Sequence, residues 1–349
     1  MQRSDPRHPG HRPEALQPRR CSFVLASLIA EHNWSHARKP KGVSHATMAA
    51  RRKFLFNCFE FLRDNPVKSY KLDPRSFSGR HVEFLFRHWE QRARRGELGA
   101  SSLQKFHSWL STFAGWINKP NLVKPISAYI SDPALYTRSY VAEDCKAWRA
   151  QGVDVQACIR EVAEHDENAA ASLALMAAFG LRFKESVMLR PHVDVMTAEQ
   201  AGKPPGAVTH YLRTHRGTKG GRLRHVPIDT PERWQAIERA RRVAARDEDS
   251  VSSSRYTLVQ AMRHLRYVME RFGITKRELQ VVPHGLRHQY VGDEFRARTG
   301  VAPPVEGGPA LPRDVDREAR LAIVEQVGHS RPAIMNAYLG SSRRREQAS

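Results

Sequence analysis

The most informative stretch of this 349-residue chain is PHGLRHQYVGDEF, residues 283–295. It opens a helix that we predict over residues 285–298, and His284 and Arg287, three residues apart, project from one side of its first turn. His284 and His288 stand four residues apart and could bind a metal ion instead. That alternative is disfavoured, because the stretch lacks the glutamate of an HExxH site and no third ligand is obvious.

A second stretch, AFGLRFKESVMLRP, covers residues 178–191. Gly180 can end one helix in a left-handed turn, and Arg182 then stands at the start of the next helix, which must stop before Pro191. We predict helices over residues 167–179 and 183–190 on the two sides of this junction. Taken alone, an arginine at such a junction is typical of a surface ion pair.

A third stretch, HYLRTHRGTKGGRLRHVPI, covers residues 210–228 and predicts a β-hairpin, because two strand-like runs flank the turn-forming residues 217–221. Lys219 would lie at the hairpin tip, able to reach into a groove. One alternative is an exposed, solubilising lysine. The other is a phosphate-cradling loop, which is disfavoured because no helix follows the glycines.

The fourth stretch, VEQVGHSRPAIMNAYLG, covers residues 324–340 and follows a helix predicted over 314–327. His329 comes directly after the helix-ending Gly328, and Tyr338 follows nine residues later. A single tyrosine between alanine and leucine is normally a core residue with its hydroxyl at the surface. Each stretch is weak evidence alone, but their order and contents together are specific.

In this order the four stretches resemble the tyrosine recombinase and phage integrase family, whose signature runs Arg, Lys, His-x-x-Arg, Gly-His, Tyr. The resemblance covers roughly residues 141–340. Glu185 follows Arg182 as in the family's GLR-x-x-E pattern, and the spacing of nine residues from His329 to Tyr338 is usual for the family. The resemblance implies that the catalytic residues are Arg182, Lys219, His284, Arg287, His329 and Tyr338.

The sequence departs from the family pattern in two places. His329 comes 42 positions after Arg287, a larger gap than is usual, and the excess matches the Gly/Pro-rich run TGVAPPVEGGPALPRD over residues 299–314. We interpret this run as an insertion that leaves the site undisturbed. Only eleven residues follow Tyr338, where many relatives use a longer segment to pack onto a neighbouring subunit.

The family's chemistry explains why these residue types are needed. Two arginines can hold the non-bridging oxygens of a DNA phosphate and stabilise the charge of the transition state. The resemblance implies that Tyr338 attacks phosphorus to give a 3′-phosphotyrosine, with His284 as its base. Lys219 would protonate the departing 5′-oxygen, and His329 would hydrogen-bond a phosphate oxygen. Because the ester bond is kept, we expect neither a metal nor another cofactor to be required.

The composition points to the same class of partner. Lys and Arg number 57 against 36 Asp and Glu, a formal charge of +21, which favours binding to double-stranded DNA, although basic ribosomal and membrane-surface proteins share this balance.

The four cysteines form no CxxC pair, which argues against a zinc ribbon and indicates a reducing cytoplasm. No apolar run reaches the roughly 18 residues of a membrane helix. Residues 19–30 imitate a signal peptide but fit a short helix better. We therefore expect a cytoplasmic, nucleoid-associated protein.

The N-terminal half contains three apolar stripes at helical spacing. They are Leu55, Cys58, Phe59 and Leu62; Val82, Leu85, Phe86 and Trp89, with Ser78 as cap; and Leu103, Phe106, Leu110 and Phe113. The polar faces of these helices carry mainly positive charges, which suits contacts with phosphate groups, although a merely solvated face is the alternative. The residues expected to contact DNA are Arg51, Arg52, Lys53, Arg80, Arg87 and Arg92.

The expected fold class is mainly α with a small β-hairpin or sheet (α+β) in the two-domain tyrosine recombinase architecture. We predict a basic, partly disordered arm over residues 1–40, a helical core-binding (SAM-like) domain over 41–130 and a catalytic domain over 141–349. Lys119-Pro120 and Lys124-Pro125 favour an extended linker near residues 119–140.

The function implied is that of an integrase of a prophage or genomic island. It would assemble as a homotetramer on synapsed sites, with accessory DNA-bending proteins as candidate helpers. The alternatives are a chromosome-dimer resolvase, a type IB topoisomerase, a DNA-binding regulator without catalysis and a metal-dependent nuclease. Relaxation of plasmids that lack a specific site would favour the topoisomerase. A trapped covalent protein–DNA adduct would exclude a regulator without catalysis, and activity that a chelator abolishes would favour the metal-dependent nuclease.

Overall fold

The computed structural model describes residues 17–36, 41–65 and 73–341. The chain divides into two compact units, residues 1–138 and 139–349, each with its own hydrophobic core. The expected fold class is confirmed, since the elements are mainly helices and the strands form one small sheet. Within the described ranges, no helix has both the length and the apolar character needed to cross a membrane.

The N-terminal unit contains four α-helices in the ranges that the structure describes: Gln17–His32 (α1), His45–Asp64 (α2), Gly79–Arg94 (α3) and Ala100–Trp116 (α4). The three predicted stripes face its core, as helical periodicity requires, with only Phe106 partly buried. Ser78 is the N-cap of α3, and its backbone N–H donates to His81 Nδ1 at 3.0 Å.

The described part of the predicted arm contains α1, in agreement with the short helix expected over residues 19–30, and the linker is more compact than the expected extended segment. Leu25 and Ile29 of α1 are buried, so part of the arm over residues 1–40 is a packed helix; residues 1–16 and 37–40 lie outside the described residues. The linker region near 119–140 contains two 3₁₀ helices, Ile126–Ala128 and Pro133–Leu135, and Ile130 between them is fully buried. Its apolar side chains outweigh the extended preference of the prolines, and most of it belongs to the N-terminal unit.

The C-terminal unit contains eight α-helices and three strands among the described residues. They are Val155–His165 (α5), Glu167–Phe179 (α6), Phe183–Met188 (α7), Val195–Thr197 (β1), His210–Thr214 (β2), Arg224–Pro227 (β3), Pro231–Val243 (α8), Leu258–Arg271 (α9), Pro283–Thr299 (α10), Arg313–Gln326 (α11) and Asn336–Leu339 (α12). The sheet is antiparallel in the order β1-β2-β3, and the buried Leu212 pairs with the buried Val226.

The helices begin and end near the glycine and proline residues of the sequence. Gly180 ends α6 in the left-handed conformation, with φ of 57°, and α7 begins at Phe183 and stops at Met188. The start of α10 is Pro283, two residues before the predicted start, because proline is tolerated in the first helical turn. The predicted insertion over residues 299–314 connects α10 to α11 and includes a 3₁₀ helix, Pro304–Glu306.

Candidate active site

Arg287 lies in the first turns of α10 and is completely buried. Its Nη1 donates a 2.6 Å hydrogen bond to the carbonyl of Gly180, and its Nη2 donates to the carbonyl of Val327. Burial is the main cause that lowers the pKa of Arg287 to about 10, so the guanidinium is still charged at neutral pH. Two backbone carbonyls thus fix this cation and leave its Nε for a third partner.

Tyr338 of α12 is that partner. Its side chain is largely buried, and its hydroxyl oxygen accepts a 3.3 Å hydrogen bond from Arg287 Nε. His329 Nε2 lies 3.4 Å from the same oxygen. Arg287 and His329, two residues implied by the family resemblance, therefore meet at the hydroxyl of Tyr338, a third.

The buried carboxylate of Glu185 bridges two arginines. Arg182, the N-cap of α7, donates from Nη1 to Oε1 at 2.7 Å and from its backbone N to Oε2 at 2.8 Å. Arg224 of β3 donates from Nη2 to Oε2 at 2.6 Å. Burial alone would raise the pKa of Glu185, but hydrogen bonding and charge from Arg224, and then from Arg182, lower it to about 2. The carboxylate is therefore ionised across the physiological range.

Sequence reasoning missed Arg224. It occupies an inward-facing position of a strand in which buried and half-buried residues alternate, a position where an apolar residue is expected. The charges of Arg182 and Arg224 both act on Arg287, so three arginines lie near one another, and Glu185 pairs with two of them. The surplus of positive charge favours an anionic ligand.

Two histidines of α10 flank the phenol ring of Tyr338. The ring centroids of His284 and His288 lie 5.9 Å and 4.6 Å from that of Tyr338. Burial, followed by the charge of Arg287, lowers the pKa of His284 to about 4. Burial, followed by the charge of His284, lowers the pKa of His288 to about 3. Both imidazoles are therefore neutral at pH 7, the form that can accept a proton.

The sequence singled out His288 only as an alternative metal ligand, and its contact with Tyr338 was not foreseen. Across the part of the chain that the structure describes, no three His, Cys, Asp or Glu side chains are grouped closely enough to hold a metal ion. The two histidine rings instead meet edge to face, with centroids 5.1 Å apart. In this arrangement they pack around the phenol.

Lys219 belongs to the connection between β2 and β3, where Lys219–Gly221 forms a 3₁₀ turn. Gly217, Gly220 and Gly221 all have positive φ, as the predicted turn chemistry requires. The side chain of Lys219 lies outside what the structure describes. Its proximity to the other residues therefore stays a prediction.

A buried tyrosine links the two turns whose carbonyls hold Arg287. The ring of Tyr290 packs against Gly180, where a Cβ atom would lie 2.5 Å from Tyr290 Cδ1. The hydroxyl of Tyr290 donates at 2.5 Å to Oε1 of Gln326, the residue before Val327. Arg233 of α8 donates to the same hydroxyl at 3.2 Å. These supporting residues carried no recognisable signal in the sequence, because a tyrosine on a helix is usually a core residue.

The predicted DNA contacts of the N-terminal unit occupy different environments. Arg52, Lys53, Arg80 and Arg87 are exposed, and Arg92 forms a 3.2 Å ion pair with Glu97. Arg51 is the exception and corrects the prediction, because its side chain is only 4% exposed and its guanidinium lies 5.6 Å from the ring centre of Trp116. As placed, Arg51 is not a surface phosphate contact.

The chain is similar to known proteins at the level of a protein family. A family model described as integrase matches residues 139–293, a span that ends before His329 and Tyr338. No curated protein matches the chain.

Three solved structures share the fold. A lambda integrase dimer bound to a COC′ core site is 14% identical, with 94% of this chain and 82% of that chain covered and a TM-score of 0.52. A lambda integrase tetramer bound to a Holliday junction is 12% identical, with coverage of 91% and 78% and a TM-score of 0.53. The Tn1549 transposon integrase in complex with transposon right end DNA is 14% identical, with coverage of 93% and 97% and a TM-score of 0.51. At these identities the similarity is one of fold.

Proposed function

We propose that the chain is a tyrosine-type site-specific DNA recombinase that cuts and rejoins strands through Tyr338. The match of the integrase family model over residues 139–293 supports this proposal. The observation that carries the proposal is the 3.3 Å contact between the Tyr338 hydroxyl and Nε of the buried Arg287. A phenol held against a guanidinium is already next to the group that would hold the reacting phosphate.

In the proposed reaction, the Tyr338 oxygen bonds to phosphorus while the bond from phosphorus to the 5′-oxygen breaks. The phenolic proton passes to neutral His284, and Lys219 protonates the departing 5′-oxygen. Arg182 and Arg287 bind the non-bridging oxygens, and His329 donates a further hydrogen bond. The reverse reaction with another 5′-hydroxyl rejoins the strand. This route needs no cofactor, because the energy of the phosphodiester is kept in the phosphotyrosine.

The proposed substrate is double-stranded DNA with two specific sites brought together by a homotetramer. The solved lambda integrase and Tn1549 integrase complexes with DNA support this substrate, and the lambda tetramer on a Holliday junction supports the assembly. In the N-terminal unit, the exposed Arg52, Lys53, Arg80 and Arg87 are the proposed phosphate contacts. The proposed role is integration and excision of a prophage or genomic island, with accessory DNA-bending proteins as candidate helpers.

A library of nicked suicide duplexes with randomised sequence tests the proposal and selects the target site in the same experiment. The parental protein should form a covalent DNA adduct with a small set of related sequences, and Tyr338→Phe should form none while still retarding the selected duplex. Relaxation of any supercoiled plasmid, without recovery of a preferred sequence, would identify a topoisomerase instead. Failure to form an adduct with any duplex would contradict the proposal.

A further inference from the structure

The insertion over residues 299–314 is folded against the helix that carries Tyr338. Gly300 ends α10 with φ of 74°, and the 3₁₀ helix Pro304–Glu306 follows, with Pro303 and Pro304 buried. This 3₁₀ helix packs on α12. The sequence interpretation, in which the insertion leaves the site undisturbed, did not include this contact with α12.

Glu306 anchors the insertion to the body of the unit. Its Oε1 accepts a 2.8 Å hydrogen bond from Arg149 Nη2, and its Oε2 accepts a 2.6 Å hydrogen bond from Arg296 Nη2 of α10. Gly292 of α10 makes room for the carboxylate, since a Cβ atom there would lie 2.9 Å from Glu306 Oε1. With its side chain only 14% exposed, Glu306 forms ion pairs that are less screened than those on the surface.

The residue before Glu306 contacts the end of the tyrosine helix. Val305 lies so close to Gly340 that a Cβ atom on the glycine would be 3.0 Å from Val305 N and 3.2 Å from Val305 Cβ. Gly340 caps α12 two residues after Tyr338, and its φ of 74° with ψ of −167° favours glycine. The backbone of the insertion is thus packed directly on the turn that positions the phenol.

Such support matters because α12 has only four residues and cannot be stable by itself. Arg320 of α11 supports it by donating to Asn336 Oδ1 at 3.0 Å and to the Gly340 carbonyl at 3.3 Å. Ala142 N also donates to the Asn336 carbonyl at 2.8 Å. Val305 provides a further contact, made by a segment that is longer here than in the family pattern.

We propose that the insertion is a brace for the nucleophile: Glu306 fixes it to α10 and to Arg149, and Val305 holds α12 so that the Tyr338 hydroxyl stays at Arg287. Glu306 and Val305 are positioning residues in this account, since neither touches the reacting atoms. The inference rests on the proposed role of Tyr338 as the nucleophile.

Glu306→Ala tests the brace in the full-length chain. At saturating suicide duplex the rate of covalent adduct formation should fall about 10²-fold, the size of effect produced by a misplacement of about 1 Å, while the affinity for the duplex is unchanged. Hydrogen exchange of the amides in residues 336–340 should accelerate. Glu306→Gln, which keeps one acceptor oxygen but loses the charge, should fall between the parental protein and Glu306→Ala.

Glu167→Ala is the matched control. Glu167 also pairs with two arginines, Arg239 at 3.2 Å and Arg242 at 3.6 Å, but at the start of α6. This variant should leave both the cleavage rate and the exchange of residues 336–340 at the parental level. If Glu306→Ala behaves like Glu167→Ala, the brace is wrong even though the parental protein cuts DNA. If the parental protein forms no adduct, the proposed function fails, and the exchange measurement still decides whether the brace exists.

Discussion

Arg224 donates a 2.6 Å hydrogen bond from Nη2 to Oε2 of Glu185, and both side chains are buried. The pair joins β3 of the sheet to α7, the helix whose N-cap is Arg182. A buried charge is costly unless it is paired, and the structure of this region therefore depends on both partners being present.

Arg224→Met should destabilise the protein strongly, because it leaves Glu185 with Arg182 as its remaining partner. Removing one member of a buried ion pair costs about 3–5 kcal/mol of unfolding free energy. Urea unfolding measures this loss. Arg246→Met is the control, since Arg246 pairs with Asp249 while 67% exposed, and it should change the unfolding free energy little. Equal effects of the two substitutions would contradict the structural role of Arg224.

Tyr290→Phe should keep the ring that packs on Gly180 and remove the hydroxyl that donates to Gln326. A buried acceptor left without its donor costs about 1–3 kcal/mol. Because Val327, next to Gln326, holds Arg287, we expect cleavage to slow while DNA affinity is unchanged. The measurement is single-turnover cleavage at saturating DNA. Tyr129→Phe loses a hydroxyl bonded to Lys124 N in the N-terminal unit and should cut at the parental rate.

Lys219→Ala should slow strand cleavage by about 10²- to 10⁴-fold, the usual contribution of a general acid. A duplex with a 5′-bridging sulfur at the scissile position has a better leaving group that needs no proton. It should therefore restore the rate of the variant. A variant that cuts the ordinary duplex as fast as the parental protein would remove Lys219 from the mechanism.

Folding stability should fall as the pH drops from about 7 towards 4. In the folded chain burial lowers the pKa of His284 to about 4 and that of His288 to about 3, whereas an unfolded histidine titrates near 6.5. The unfolded state binds more protons in that window, so acid favours unfolding by about 2 kcal/mol between pH 7 and pH 5 for the buried His288, and by less for His284, which is exposed to solvent. Urea unfolding of His288→Gln should show a weaker pH dependence than the parental protein. An identical pH dependence would show that His288 is not buried in its neutral form.

Local sequence signals predicted helices α6, α7, α10 and α11 of the C-terminal unit. Helix α6 has the predicted bounds, because Gly180 is a strong end signal, and Lys219 falls in the predicted hairpin turn. Helix α8 was missed although Thr230 caps it and Pro231 opens it, since the segment is polar and its Arg233 is buried by partners distant in sequence. The three-residue β1 is too short to leave a periodic pattern.

The candidate site divides in the same way. The six proposed catalytic residues follow from the family pattern, but the contacts of the residues that support them do not. Arg224 and Glu185 are 39 positions apart, and the partner of Tyr290 is 36 positions away, so no local pattern reveals either contact. The packing of Val305 against Gly340 depends on how the insertion folds back. Tertiary contacts of this kind become visible only in the folded chain.

The most direct measurement is mass spectrometry of the covalent adduct trapped on a selected suicide duplex and digested with protease and nuclease. The account predicts that the added nucleotide mass is carried by the hydroxyl of Tyr338 through a 3′-phosphate. An adduct on any other residue, or a 5′-phosphate linkage, would contradict it.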